Sequence, residues 1–568
     1  MRFSEILNSF IYHHFMDQNN LDAETAYQLI LNLTSTNEQK RDESIKLIPQ
    51  IASLLGPERT IIELIPYIIN SAVHTEKSLC SSILQFINFD FQYTREQFIK
   101  IFDSISPLFE IDMKSIRKAV VKFITSICGK IDREIVNEII PNKITTFLEA
   151  DLDNYSFPIS IQMVGVRLTA SIFNLLSDEC QKNVLTDFIN FANPQNPQNS
   201  SNSSNPPLVQ REIIKACVKL VKYTNDERLF RCVQKHTKDE SPTIAYSIPK
   251  FIINYLSKEG SEYATIKVLI RGLSRSPNWR IKCKLFMSMK EMNDIKPFPG
   301  DLLVDIFNGA LNRKDEDEEV RIAEAQQIGL LPKENEKTME IVTKLLKDSC
   351  PHVRTAAMES ISNSQDKEFV KDQLISLLKD SVREVRSAAL DSLRTINISN
   401  DDISAILTNF LDSGEAEWRE KNDIVNIFVE KNVKNIDLFK KLIFDDAFEV
   451  RNSLLVNIPK LDYSDPDLLQ VVKEAVDDED YQIRQMVVLI IIIKKLYNDE
   501  SGLELLKKLA EDKVSNVRLI VAKYTPRNLQ IISKLTEDPD EDVRDFASSA
   551  CSPVNSIKKQ NVLPIYSK

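Results

Sequence analysis

The chain has 568 residues, with 72 Lys+Arg against 83 Asp+Glu and a net charge of −11. That sign disfavours phosphate-backbone binding as the main role, because such binding draws on a basic field. Only 10 glycines occur, no two closer than nine positions, which excludes GxGxxG and GxxxxGK[ST] phosphate loops and the GxSxG elbow.

The N-terminal stretch MRFSEILNSFIYHHFMDQNN has no charged n-region, long apolar core or small-residue cleavage site. The longest apolar run, Met486–Ile493, is eight residues, far below the roughly 20 needed to span a bilayer. Eight cysteines are scattered with no CxxC pair, so zinc ribbons and thioredoxin-like motifs fail on spacing. The expectation is a soluble cytoplasmic or nuclear chain with reduced thiols and no membrane span.

A repeat runs along the whole chain. In the N-terminal half its marker position falls at Arg41, Leu79, Arg117, Arg167, Arg211, Ala245 and Arg280. The C-terminal half repeats the pattern more cleanly, as in LKDSCPHVRTAAMESI and LKDSVREVRSAALDSL. There the arginines are Arg321, Arg354, Arg386, Arg419, Arg451, Arg484, Arg518 and Arg544, spaced by 33, 32, 33, 32, 33, 34 and 26 residues. In seven of these eight an Asp stands six residues before the Arg. Seven units and eight give fifteen.

Each unit reads as two helices. Ile341, Leu345 and Leu346 have helical apolar spacing before the turn, and Ala389, Leu390 and Leu393 have it after. Such a pair cannot bury its apolar stripe alone and must stack on its neighbours. The predicted fold is therefore all-α, an α-α superhelix built from about fifteen helix pairs over residues 1–568. The turn Asp is placed to cap the second helix. The Arg is placed to reach the Asp of an adjoining unit, giving a ladder of charged hydrogen bonds. One segment departs from the pattern. NPQNPQNSSNSSNPP, residues 193–207, has no apolar content and is predicted to be a disordered loop.

Chemistry-bearing motifs are missing. Histidine occurs at His13, His14, His74, His236 and His352, with no HExxH and no His-Glu dipeptide. No catalytic residue, metal ligand or cofactor is assigned. The reading is a binding protein rather than an enzyme.

The Asp-x5-Arg turn and Ala-rich second helix resemble the HEAT repeat. More closely, four segments resemble the scaffold (A, 65-kDa regulatory) subunits of type 2A protein phosphatases. They are LGPERTIIELIPYI at Leu55–Ile68, SPNWRIK at Ser276–Lys282, AEWR at Ala416–Arg419, and the stretch Asp512–Ala550. The count of fifteen matches as well, whereas the 32–34-residue spacing here is shorter than in that family.

The resemblance implies a non-catalytic, monomeric scaffold joining a phosphatase catalytic subunit to exchangeable regulatory subunits. Repeats within 20–300 would face the regulatory subunit, 301–400 form the middle, and 401–555 face the catalytic subunit. Carried over by position, the catalytic-subunit ridge is Trp418, Arg419, Phe448, Tyr481, Asn516 and Arg518. The regulatory-subunit ridge is Glu58, Pro207, Gln210, Arg211, Trp279 and Arg280. Aromatic residues and Arg on polar turns suit an interface. The plainer alternative is that each aromatic packs back on its own repeat.

Two rivals remain in the binding class. A HEAT-repeat adaptor of the importin type would suit an acidic chain with basic cargo. Nucleic-acid binding is disfavoured by the net charge and by the absence of a visible basic stripe.

Overall fold

The computed structural model describes residues 23–32, 35, 37–74, 92–193, 205–238, 242–311, 317–332, 336–362, 367–433, 435–460, 465–527 and 529–549. The Leu79 marker, most of the 193–207 segment and Asp315 lie outside them. The described residues form helices and turns with no strand. They divide into two compact units, Met1–Val320 and Arg321–Lys568.

In the first unit, helices alternate as the periodicity predicts. First helices such as Arg95–Ile105, Arg133–Leu148, Asp178–Ala192 and Tyr263–Ser274 alternate with second helices. The latter are Lys114–Cys128, Pro158–Ile172, Pro207–Leu220, Ile248–Leu256 and Trp279–Ile295. Consecutive second helices pack on one another, and the first helices Arg133–Leu148 and Asp178–Ala192 do likewise. Two helical layers result, with the core between them. Starts are set by short polar caps. Ser177 accepts from the Cys180 N–H, Asp226 from that of Arg228, and Asn278 from that of Arg280.

The second unit repeats the arrangement. Its second helices are Pro351–Ile361, Arg383–Thr395, Trp418–Lys431, Phe448–Asn457, Tyr481–Ile493, Ser515–Tyr524 and Glu541–Ser548. Each contacts the next in that order. Tyr481–Ile493 shows why stacking is obligatory. Ile483, Met486, Val487, Val488, Leu489, Ile490, Ile491 and Ile492 are all buried, more than one helix face can hold. Fully burying each aliphatic side chain contributes about 1.5–3 kcal/mol, and only neighbouring repeats supply the cover.

The predicted ladder is present, and it runs forward along the chain. Asp348, Asp380, Asp445, Asp478, Asp512 and Asp538 each accept the N–H two residues on, at 2.8–3.0 Å. Each carboxylate also receives a cation from the repeat before. Arg321 reaches Asp348 at 2.8 Å, Arg354 reaches Asp380 at 2.7 Å and Arg451 reaches Asp478 at 2.8 Å. Arg484 reaches Asp512 at 2.6 Å and Arg518 reaches Asp538 at 2.7 Å. The same guanidiniums donate back to their own turns, Arg484 to the Asp478 carbonyl at 2.6 Å and Arg518 to the Asp512 carbonyl at 2.7 Å. One side chain thus fixes its own turn and the next repeat's turn together.

The repeat containing Arg419 departs from the expected register. In the neighbouring second helices the rung arginine is the fourth residue: Arg354, Arg386, Arg451, Arg484 and Arg518. In Trp418–Lys431 the fourth residue is Lys421, and it reaches Asp445 at 2.5 Å. Arg419 is the second residue and is exposed. The turn lacks its Asp because position 413 is Ser. Glu420 replaces it, accepting Arg386 at 2.8 Å with both side chains nearly inaccessible.

Candidate protein-binding ridges

Trp418, Phe448 and Tyr481 each begin a second helix, and those three helices are consecutive neighbours. The aromatics therefore share one structural position in adjoining repeats. Each stands three residues before its rung, Lys421, Arg451 or Arg484, and so lies over it on the same helical face. The rung's ion pair holds the helix start in place, while the aromatic keeps part of its surface open to solvent. Trp418 is 40% exposed, and Phe448 and Tyr481 are partly buried. The Arg419 guanidinium lies 4.7 Å from the Trp418 ring centroid, a cation–π pair outside the ladder.

In the next repeat Asn516 is the exposed second residue of Ser515–Tyr524, the position that Arg419 holds, and its carbonyl accepts Gln485 Nε2 at 2.9 Å. Arg518 has a different environment. Its side chain is 12% exposed and is held by Asp538 and by the Asp512 carbonyl. It acts here as a rung.

In the first unit the same position is held by Trp279, which begins Trp279–Ile295 behind the Asn278 cap. Arg280 lies over it at 4.4 Å, matching the Trp418–Arg419 pair. Pro207 begins Pro207–Leu220 and is exposed. Gln210 is half-buried and donates to the Asn205 carbonyl at 2.6 Å, and Arg211 stands 3.6 Å from Glu212. Glu58 is exposed beyond the kink at Gly56 (φ 74°) and before a single π-helical turn, Thr60–Leu64. The ion pair of that segment belongs to Arg59 and Glu63, at 2.7 Å, and Thr60 ties it to the Ala52 carbonyl.

The sequence reading missed further apolar residues at the same edges. Phe444, 65% exposed, caps the end of Ile436–Ile443 in the turn before Phe448. Phe157 and Leu208, each 55% exposed, stand at the starts of Pro158–Ile172 and Pro207–Leu220. Tyr246, 49% exposed, lies under the Lys284 ammonium at 5.3 Å. An apolar residue at a helix start breaks the buried periodicity only once the helix end is known, so the pattern alone hid them.

Among the described residues no three His, Cys, Asp or Glu side chains gather in a metal-binding cluster, and no helix is long and apolar enough to cross a membrane.

Comparison with known proteins gives a family match over part of the chain. Residues 307–394 match the family model for HEAT repeats. No curated protein sequence matches the chain. Among solved structures the chain is similar to Kap121p bound to Ste12p, at 11% identity and a TM-score of 0.47, over 94% of this chain and 55% of that one. It is similar to Kap121p bound to RanGTP at 14% identity and a TM-score of 0.40, over 90% and 56%. It is also similar to yeast importin-beta (Kap95p) at 11% identity and a TM-score of 0.43, over 88% and 73%. The chain spans a little over half the length of the Kap121p structures. With buried helix pairs, a forward Arg–carboxylate ladder and the matched segment together, the described residues form an all-helical fold of the HEAT-repeat type.

Proposed function

We propose that this chain is a non-catalytic HEAT-repeat scaffold that holds protein partners on the turns between its paired helices. The observation carrying this reading is the row Trp418, Phe448 and Tyr481, one aromatic per repeat at one structural position. A core needs no Trp 40% exposed at a polar turn, whereas a partner surface gains most from Trp, Tyr and Arg. The scaffold raises the effective concentration of its partners and fixes their orientation, with no chemistry of its own.

For the partner, the four segments that resemble phosphatase scaffolds favour a phosphatase catalytic subunit on the Trp418–Tyr481 row. An exchangeable regulatory subunit then occupies the edge that includes Phe157, Leu208 and Trp279. The second reading is a transport-type adaptor for basic cargo, favoured by the excess of 83 acidic over 72 basic residues.

The test is titration of the purified chain with two ligands, a type 2A phosphatase catalytic subunit and a Lys/Arg-rich cargo peptide. Phosphatase binding lost in Trp418→Ala and Arg419→Ala supports the first reading. Peptide binding without phosphatase binding supports the second. Binding of neither by a folded chain overturns both.

A further inference from the structure

The acidic chain contains a basic groove that its sequence order conceals. Three consecutive second helices of the first unit, Lys114–Cys128, Pro158–Ile172 and Pro207–Leu220, pack side by side and line a cavity of about 690 Å³. Lys114, Lys118 and Lys122 stand along one wall at successive helical turns, a row about 12 Å long. Lys215 and Lys219 stand one turn apart on the opposite wall, and Arg167 rises between them. The sequence reading found no basic stripe because these residues come from three helices some fifty residues apart.

Six cations therefore face one carboxylate, Glu212. That carboxylate is already committed. It is buried, and it accepts Arg167 at 2.8 Å and Lys215 at 3.1 Å. Burial opposes its charge, but Arg167 and then Lys215 prevail and hold its pKa at about 2. Lys114, Lys118 and Lys122 are exposed and form no ion pair among the described residues. Lys118, Lys215 and Arg211 push the Lys114 pKa below its ordinary value, outweighing the opposing pull of Glu212, as expected where like charges outnumber their counter-charge.

We propose that this groove binds an Asp/Glu-rich segment of a partner protein. The proposal rests on the protein-scaffold reading and adds a second class of contact to it. The groove suits a flexible carboxylate-rich chain by charge complementarity. Its one Arg is already paired with Glu212, so no free bidentate fork is left to fix a single phosphate or carboxylate group. The free cations are lysines, which act as point charges on flexible stems. Single-stranded nucleic acid favours aromatic stacking platforms, and no aromatic side chain lines the groove. Val121, Ala170 and Ala216 give the floor small apolar patches on which the segment's backbone and short side chains rest.

The test is fluorescence anisotropy with the full chain and a labelled Glu/Asp peptide of about twelve residues, at low salt where exposed charges act at longest range. Binding is expected to weaken at least about tenfold in Lys118→Glu with Lys215→Glu, and to fall steeply with added salt. Lys118→Gln with Lys215→Gln provides a milder variant of the same exposed walls and should lie between. Lys473→Glu with Lys507→Glu changes net charge equally in the other unit and should leave binding within about threefold of wild type. Three results would each overturn the proposal: no peptide binding by wild type, equal weakening by the control pair, or tighter binding of a single-stranded RNA of equal charge. Loss of phosphatase binding in Trp418→Ala reads a different unit, so the groove and the ridge fail separately.

Discussion

Arg386 donates to Glu420 at 2.8 Å between adjoining repeats, where the rungs on either side, Arg354–Asp380 and Lys421–Asp445, close on an aspartate. Glu420 sits inside the helix it caps. Its second oxygen accepts the Glu417 N–H at 2.8 Å, so one carboxylate serves as both rung and helix cap. The substitution restores the ladder at the turn that lost its Asp, and it releases Arg419 from structural work.

Glu420→Gln should be among the most damaging surface-distant changes in this unit. Arg386 is 6% exposed and would keep its charge with only the exposed Glu417 carboxylate, 3.7 Å away, beside it. Removing one partner of a buried pair costs about 3–5 kcal/mol. In a repeat stack the loss is local, so hydrogen exchange is the measurement. Amides of Arg383–Thr395 and Trp418–Lys431 should exchange faster, while those of Glu541–Ser548 keep their protection. Unchanged exchange near Arg386 would remove Glu420 from the ladder.

Arg419 and Lys421 should separate binding from stability. Arg419→Ala removes an exposed side chain stacked on Trp418, so folding should hold within about 0.5 kcal/mol while partner binding weakens by about 1–2 kcal/mol. Lys421→Ala leaves Asp445 without its cation and should do the reverse. Thermal melts and binding titrations on both variants decide the matter. If Lys421→Ala weakens binding and Arg419→Ala lowers stability, the register described here is wrong.

That register marks where the sequence stopped being legible. The Asp-x5-Arg spacing encodes local chemistry, a cap and a rung, so helix pairs, turn positions and the ladder were readable from it. At position 413 the Asp is absent, and the Trp-Arg pair imitates the Val-Arg of neighbouring turns, which drew Arg419 into the rung position two residues early. Trp418, Phe448 and Tyr481 were legible because aromatics beside a turn signal stand out. Phe444 and Leu208 were not, since an apolar residue next to a helix looks like core until the helix end is fixed. The lysine groove was invisible because it depends on which helices become neighbours.

Acid should weaken the stack through the ladder carboxylates. At Asp380 and Asp512 burial opposes the charge, yet hydrogen bonds from Arg354 and Arg484 carry the pKa below the ordinary carboxylate value. At Asp538 the Arg518 hydrogen bond is the leading cause of the same shift. A depressed folded pKa means stability that is fully present above the unfolded value, about 3.9, and lost as pH falls through the folded one. Their support is therefore complete and independent of pH from neutral to alkaline conditions, and it is withdrawn below about pH 4. Protection followed against pH should fall in that window, with a shallower acid slope in Asp512→Asn. An identical slope in that variant would show that Asp512 takes up no extra proton on unfolding.

Two glycines test how tightly successive elements approach. Gly502 lies near the start of Glu500–Ala510, and a Cβ there would stand 2.1 Å from the Leu496 carbonyl oxygen. The obstacle is backbone, held by the short turn Leu496–Asn498 after Lys495 at φ 57°, so it cannot swing aside as a side chain could. Gly309, within Gly300–Leu311, would carry a Cβ with nothing inside 4 Å. Gly309→Ala should thus stabilise its helix by up to about 1 kcal/mol, since alanine loses less backbone freedom on folding. Gly502→Ala makes the same chemical change and should cost about 1–3 kcal/mol, because overpacking must displace the turn that sets the angle of the next repeat. Opposite signs in the two melts are the expected result. A neutral Gly502→Ala would mean that the turn yields freely and does not fix how that repeat is seated.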